Sequence, residues 1–418
     1  MTASFWGMGS NVTRFPVDAT AAPAFPAAPA PNMRPDGFGV EETGVDDWGA
    51  AEEAAWRGLV AGALEPNPFF EPGFALSAAR HFPRSLRPRF VALWRGATFS
   101  ESQRLVALFP LAGARPMFGG GLERLWLHEN AALASPLIDR RGGEAALCAF
   151  LDWLGETGPA PGVLFPKLTI SGGSFALIES VAKASGRRLR TLDRYERAAL
   201  FPGGEVEALW RRNSSLHAYK ELNRRRRRMA EAGPVETCWS VTPEDVRRDM
   251  ETFLALEAAG WKGARGALLG NPSLATFARS AARLLAREGK CRILNLDVAG
   301  KRVAMGIVLE SGARASFWKI AFDESQRAVA PGIHLVHELT RAHLARNDLE
   351  FTDSCAIPDH PMIDRFWPDR IGVCDIAVET RPGQSEAFDS ACNLEMMRRR
   401  ARAAAKDAVY GLLKRKPS

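Results

Sequence analysis

The six cysteines of this chain (Cys148, Cys238, Cys291, Cys355, Cys374, Cys392) include no C-x-x-C pair. That spacing excludes a zinc ribbon and offers no disulfide framework. It suits a reducing compartment, so the cytoplasm is the expected location. No apolar run approaches the about 20 residues that a membrane-spanning helix needs. The first residues, MTASFWGMGSNVTRF, lack a basic segment followed by an apolar core and a cleavage site, so no secretory signal is expected. Tyrosine is scarce, with only Tyr195, Tyr219 and Tyr410, which leaves few phenols for proton transfer.

A length of 418 residues favours two domains, because single cores rarely grow past about 250–300 residues. Hydrophobic content of 46% and charge of 25% are those of an ordinary globular protein. The net charge of +7 favours anionic partners such as nucleotide-like cofactors, a membrane surface or nucleic acid.

Residues 1–45, rich in Ala, Pro and Gly, read as a disordered leader. The first half, 46–200, opens with helical spacing at Trp56, Leu59, Val60 and Ala63. Strands are expected at Phe90 to Trp94, Leu105 to Phe109, Val163 to Phe165 and Leu189 to Leu192, with an apolar run at Leu125 to Leu127. Helices are expected at Glu144 to Leu154 and Ser174 to Ala184. The second half, 201–385, repeats the order. A helix at Asn213 to Ala232 leads to a strand at Val235 to Val241. Helices Pro243 to Ala259 and Ser273 to Glu288 follow, and Pro243 suits a first helical position. Three strands come next, Cys291 to Val298, Val303 to Glu310 and Ala315 to Phe322, joined by turns short enough for hairpins. A helix from Ile333, a strand at Leu349 to Ser354, a short helix at His360 to Trp367 and a strand at Val373 to Val378 complete it. Matching order argues for a duplicated α/β unit. Residues 386–418 form a basic helix.

The junction between the Ala315 strand and the Ile333 helix carries the clearest chemistry. The first amides of a helix lack intrahelical acceptors, the helix dipole favours negative charge there, and small residues admit a ligand to the backbone. Phe322, Arg327, Ala328, Ala330, Gly332 and Ile333 are the candidate diphosphate-binding residues. Pro331 removes one donor from the set.

The second half resembles the GNAT superfamily of N-acyltransferases in element order and in its acyl-CoA signature. That signature is an apolar residue, four others, Gln or Arg, two others, Gly or Ala, one other, then Gly or Ala. Phe322, Arg327, Ala330 and Gly332 fall on those positions, with Phe322 and Ala330 departing from the commoner choices. The stretches NPFFEPGF (67–74), LEAAGWKG (256–263), FWKIAFD (317–323) and APGIHL (330–335) are similar to the tandem cellulose-biosynthesis (CelD-like) acetyltransferases related to FemAB, over roughly residues 50 to 380. The resemblance implies two tandem GNAT-like domains, each a mixed, mostly antiparallel twisted sheet flanked by helices. The first would lack the phosphate loop. It also implies acetyl-CoA as acyl donor, an amine acceptor such as an amino sugar or polysaccharide precursor, and no metal.

In the resembled fold the pantetheine arm lies between two splayed strands, here Ala315 to Phe322 and Leu349 to Ser354. Alternation would put Phe317, Lys319 and Ala321 on one face and Trp318, Ile320 and Phe322 on the other. Asp353, ending the second strand, is a candidate base or amine-orienting carboxylate. It is equally readable as a structural partner of Lys319 or a cap of the next turn. Lys319 and Glu310 complete the catalytic candidates, and none of the tyrosines is expected in the general-acid position. Trp261 and Lys262 stand where the fold places its acceptor loop; Trp261 reads as a stacking surface or as packing.

His334, His337, Glu338 and Arg341 share a helix face that reads as solvated polar surface and not as a metal site. The run Arg224 to Arg228 reads as a solvated helix, or as a contact for a CoA 3′-phosphate, nucleic acid or an acidic carrier. In the C-terminal helix Leu394, Met397, Ala401 and Ala408 form an apolar stripe beside Arg398, Arg399, Arg400, Arg402 and Lys406. That stripe would dock on the domain or make peripheral membrane contact. Two other functions compete with acyl transfer from acyl-CoA: a FemAB-like transferase using aminoacyl-tRNA, and a non-catalytic basic module binding membrane or nucleic acid.

Overall fold

One nine-stranded sheet links the two halves of the chain. The computed structural model describes residues 37–95, 104–113, 121–213, 216–260, 263 and 266–414. In chain order the first half gives β1 (Phe38–Thr43), α1 (Ala50–Gly62), α2 (Pro72–His81), β2 (Arg89–Arg95), β3 (Arg104–Leu111), β4 (Glu123–Arg124), β5 (Leu137–Ile138), α3 (Gly143–Thr157), β6 (Gly162–Thr169), α4 (Gly173–Ala184) and β7 (Leu189–Leu200). The second gives α5 (Val206–Asn213), α6 (Leu216–Ala230), β8 (Val235–Ser240), α7 (Pro243–Ala259), α8 (Pro272–Arg287), β9 (Cys291–Val298), β10 (Lys301–Ser311), β11 (Arg314–Phe322), α9 (Pro331–Leu344), β12 (Phe351–Asp353), β13 (Asp369–Glu379) and α10 (Ser385–Lys414).

The helix starts follow from local chemistry. Proline opens α2, α7, α8 and α9, where its missing N–H costs nothing, and the side chains of Thr242 and Asn271 cap α7 and α8. The strands form a four-stranded sheet, β1-β2-β3-β5, and the nine-stranded sheet β4-β6-β13-β7-β12-β11-β10-β9-β8. Within these sheets only β4–β6 and β11–β12 pair in parallel. The fold is therefore mixed α/β, with mostly antiparallel sheets flanked by helices. β13, from the second half, lies between β6 and β7 of the first.

Several expected bounds shift. Residues 1–36 of the expected leader lie outside the described residues, but Phe38–Thr43 is a strand paired with β2. β7 runs to Leu200, eight residues past its expected end, because it is charge-rich and shows no clean alternation. The expected helix at His360 to Trp367 is a 3-10 turn, Ile363–Arg365. α10 docks through Phe388, Ala391, Cys392 and Glu395, whereas Met397 of the expected stripe is 65% exposed. His334 and His337 are buried and not solvated, because the edge of Trp210 in α5 covers His337 and Arg226 in α6 reaches Glu338. No helix among the described residues is long and apolar enough to cross a membrane.

Glu65 ties the loop after α1 to both halves. It is buried, accepts the Ser174 amide (3.0 Å) at the start of α4, and pairs with Arg314 of β11 (2.8 Å). Glu65→Ala would leave the Arg314 guanidinium without its buried partner and should cost about 3–5 kcal/mol in urea unfolding. Arg212→Ala, which removes an exposed pair with Asp369, should cost less than about 1 kcal/mol in the same measurement.

Burial pushes His334 and His343 down from 6.5 to about 4. The unfolded chain therefore binds protons on these side chains that the folded chain refuses. Their contribution is complete above the ordinary value and is lost as pH falls toward 4. Stability should decline as the medium is taken from about pH 7 to about pH 5, by up to about 1.4 kcal/mol per pH unit for each histidine. His343→Gln should flatten that slope; a slope identical to the parent's would mean that His343 is protonated in the fold.

Candidate active site

β11 and β12 pair over three positions only, Arg314↔Phe351, Ala315↔Thr352 and Ser316↔Asp353. β11 then continues to Phe322, while the other chain turns away at Cys355, whose φ of 54° is left-handed. The result is a wedge between the strands, beside the remainder of β11. A bulge sits in its wall. Lys319 pairs with Ile307 and Phe317 with Val308, so Trp318 has no opposite number. The bulge breaks the expected alternation. Phe317, Ile320 and Phe322 pack into one core, Trp318 and Ala321 into the other, and Lys319 joins Trp318 in lining a cavity.

That cavity, of about 590 Å³, is lined by Lys167, Tyr195, Arg197, Trp318, Lys319 and Cys355 together with the turn from Glu129. Trp318 donates to the Asn130 carbonyl (2.8 Å), and the Lys319 ammonium stands 5.2 Å from the Trp318 ring centre. Burial raises the Tyr195 hydroxyl above its ordinary range and pushes the Cys355 thiol up. Both are held in their protonated forms. Tyr195, Lys167 and Arg197 come from the first half, carried in by the pairing of β7 with β12 and β13. The sequence alone missed them, because nothing local to β6 or β7 marks them.

Asp353 is not a free base. Its carboxylate accepts from Arg197 (2.5 Å) and from the Cys355 amide (2.9 Å), all within the interior. Arg197, not Lys319, is its partner. Glu310 is held by Arg346 (3.1 Å) and Arg292 (3.5 Å) and does not line the cavity. Of the three catalytic candidates only Lys319 faces it.

Beyond β11 the chain forms a 3-10 helix, Glu324–Val329, capped by Asp323, and reaches α9 through Ala330, whose φ and ψ are both 55°. The expected nest of amides is smaller than the sequence suggested. Pro331 has no N–H, and the amides of Ile333 and His334 both bond to the Ala330 carbonyl. Gly332 is buried under Phe322, where an added Cβ would meet the ring at 3.1 Å. Arg327 and Ala328 are the exposed members. Ala328 lines a second cavity, about 580 Å³, with Arg224, Arg225, Arg227 and Arg228 of α6. Arg224 and Arg225 pair with Glu221 and Arg226 with Glu338, whereas Arg227, Arg228 and Arg327 form no ion pair among the described residues.

Between these two lies a third cavity, about 290 Å³, lined by Leu256, Gly260, Ile320, Phe322, Glu324 and Met362. The three cavities thus follow β11 in order: Trp318 and Lys319, then Ile320 to Phe322, then Ala328. At a strand rise of about 3.3 Å per residue the stretch from Trp318 to Phe322 spans about 13 Å. Trp261 and Lys262 lie outside the described residues, directly after Gly260. No group of three or more His, Cys, Asp or Glu among the described residues is placed to hold a metal ion.

Comparison with solved structures finds FemX at 9% identity, covering 81% of this chain and 96% of that one, with a TM-score of 0.51. A conserved protein of unknown function from Bacteroides thetaiotaomicron matches at 11% identity, 78% and 97% coverage and a TM-score of 0.47. A tandem GNAT protein from the clavulanic acid biosynthesis pathway matches at 14% identity, 83% and 100% coverage and a TM-score of 0.36. At these identities the likeness concerns the fold alone. No curated protein matches the sequence. Residues 217–356, which contain the wedge, the loop and α9, match the family model described as an acetyltransferase (GNAT) domain, and this portion of the chain is a GNAT-type acyltransferase domain.

Proposed function

We propose that the protein moves an acyl group, acetyl in the simplest case, from acyl-CoA to an amine held in the 590 Å³ cavity. One observation carries the reading: β11 parts from β12 after Ser316, and the open edge runs from the Lys319 cavity to the arginine-lined cavity at Ala328. A pantetheine arm can add to that edge as a short strand, hydrogen-bonding to the amides that β12 leaves. The CoA phosphates then meet Arg327, Arg227 and Arg228, which form no ion pair among the described residues.

The chemistry needs little more. The amine nitrogen attacks the thioester carbon, the C–N bond forms and the C–S bond breaks. The amine loses a proton and the leaving sulfur gains one. Tyr195, kept protonated by its surroundings, is placed to supply that proton. The β11 amides beside the bulge are the donors for the tetrahedral oxyanion. The resemblance supports an amino sugar or polysaccharide precursor as acceptor.

Acetyl-CoA at about 100 times its Kd should stabilise the protein by about 2.7 kcal/mol. Arg228→Glu should weaken acetyl-CoA binding by roughly ten-fold or more and weaken the dephospho form less, because the latter lacks the 3′-phosphate. Millimolar acetyl-CoA that neither stabilises the protein nor is consumed would sink this reading. Tight RNA binding that weakens steeply with salt would instead favour an aminoacyl-tRNA-dependent transferase.

A further inference from the structure

The acceptor cavity holds a lysine whose ammonium forms no ion pair among the described residues. Lys167 sits in a bulge of β6: Leu168 pairs with Cys374 and Phe165 with Ile376, so Pro166 and Lys167 together oppose Asp375. β7 shifts register against β13 at the same residue. Lys167 is held there at a φ of 49°, a conformation that glycine or asparagine adopts more easily.

The surroundings of that side chain are one-sided. The nearest carboxylate on the paired strand, Asp375, gives one oxygen to the Lys167 amide (2.8 Å) and the other to Arg399 of α10 (2.7 Å). Asp353 is committed to Arg197. The Lys167 ammonium therefore has no ion pair among the described residues, and Arg197 and Lys319 line the same cavity. Burial, and then the nearby Arg197, lower its pKa, while the charges of Asp375, Cys355 and Asp353 offset part of that without pairing with the ammonium. Glu129 and Asp193 line the same cavity, and the Asp193 carboxylate accepts the Arg194 amide; neither forms an ion pair with Lys167 among the described residues.

We infer that Lys167 binds an anionic group, carboxylate or phosphate, carried by the acceptor, so that the protein acts on anionic amines in preference to neutral ones. This rests on the reading of the 590 Å³ cavity as the acceptor site. The arriving anion supplies the missing counter-charge, and the acceptor's amine then points along the cavity toward Lys319 and the thioester. An amino sugar phosphate or an amino acid has the required pairing of groups; a neutral amino sugar does not.

The test uses the full chain and matched acceptors: glucosamine with glucosamine 6-phosphate, and glycine amide with glycine. Thiol release from acetyl-CoA reports turnover. Calorimetry with the same compounds and with inorganic phosphate reports binding, so the result does not depend on finding the native acceptor. The anionic member of at least one pair should be favoured roughly ten-fold in kcat/KM or in affinity. Lys167→Gln should erase that preference through KM, with kcat within about two-fold, while Lys167→Arg keeps most of it. Acetyl-CoA affinity should be the same in all three proteins.

Equal use of both members, a preference that survives in Lys167→Gln, or no anion binding that depends on Lys167 would each overturn the inference. A loss of kcat at unchanged KM in Lys167→Gln would do so too, since it would mark Lys167 as a proton-transfer group. Failure of acetyl-CoA to bind the parent protein would count against the acyltransferase reading, and the phosphate arm would still read Lys167 separately.

Discussion

The buried pair between Arg197 and Asp353 is the constraint on which the site depends. Arg197 lies near the end of the long strand β7, Asp353 ends the three-residue β12, and both side chains are almost fully enclosed. The carboxylate also holds the Cys355 amide, which fixes the left-handed turn that carries the chain away from β11. Without that turn β12 could go on pairing and the wedge would close. The Arg197 guanidinium reaches the Ala132 carbonyl as well, so one side chain joins the cavity wall, the strand end and the turn. A carboxylate in this position serves geometry. Its two oxygens are occupied, and an attack by an amine needs another route for the proton.

How much of this was readable in the sequence follows from how local each feature is. The β9–β10 hairpin announces itself, because Ala299 and Gly300 take the paired left-handed conformations of a two-residue turn. α7 is equally legible, with Thr242, Pro243 and the acidic residues Glu244 and Asp245 at its start. β7 is not: Arg190, Asp193, Arg194, Glu196 and Arg197 interrupt any apolar pattern, and only the pairing with β13 makes it a strand. The partner of Asp353 lies 156 residues away in sequence, and Lys167 meets Asp375 across 208. No spacing rule reaches that far.

The phosphate loop shows a different kind of gap. The signature positions were found, and the structure places them at the turn between β11 and α9, yet the amides they were expected to offer are mostly spent or covered. Phe322, the residue that departs from the aliphatic pattern, is the one that covers Gly332. Positive charge stands beside this turn on α6. The five-arginine run wraps its helix, so its members meet different fates. Arg224 and Arg225 neutralise Glu221, Arg226 reaches across to α9, and Arg227 and Arg228 are left facing the loop. One wrapped run thus holds both neutralised arginines and exposed ones beside the loop.

The C-terminal helix belongs to the same account. Its first turns bury Phe388 and Cys392 against the sheet, which brings Arg399 to Asp375. Asp375 spends its other oxygen on the amide of Lys167, so the docking of a terminal helix reaches the cavity through a single carboxylate. Arg399 occupies one oxygen of Asp375 and the Lys167 amide the other, so the carboxylate holds the left-handed backbone of Lys167 while acting on its ammonium only from a distance. An ammonium partly withdrawn from water is unfavourable for the folded state, and the charges of Asp375 and Asp353 offset only part of that cost. The anionic acceptor proposed above would offset more of it. The bulge sets Lys167 in the cavity lining, and α10 occupies one oxygen of the carboxylate opposite it.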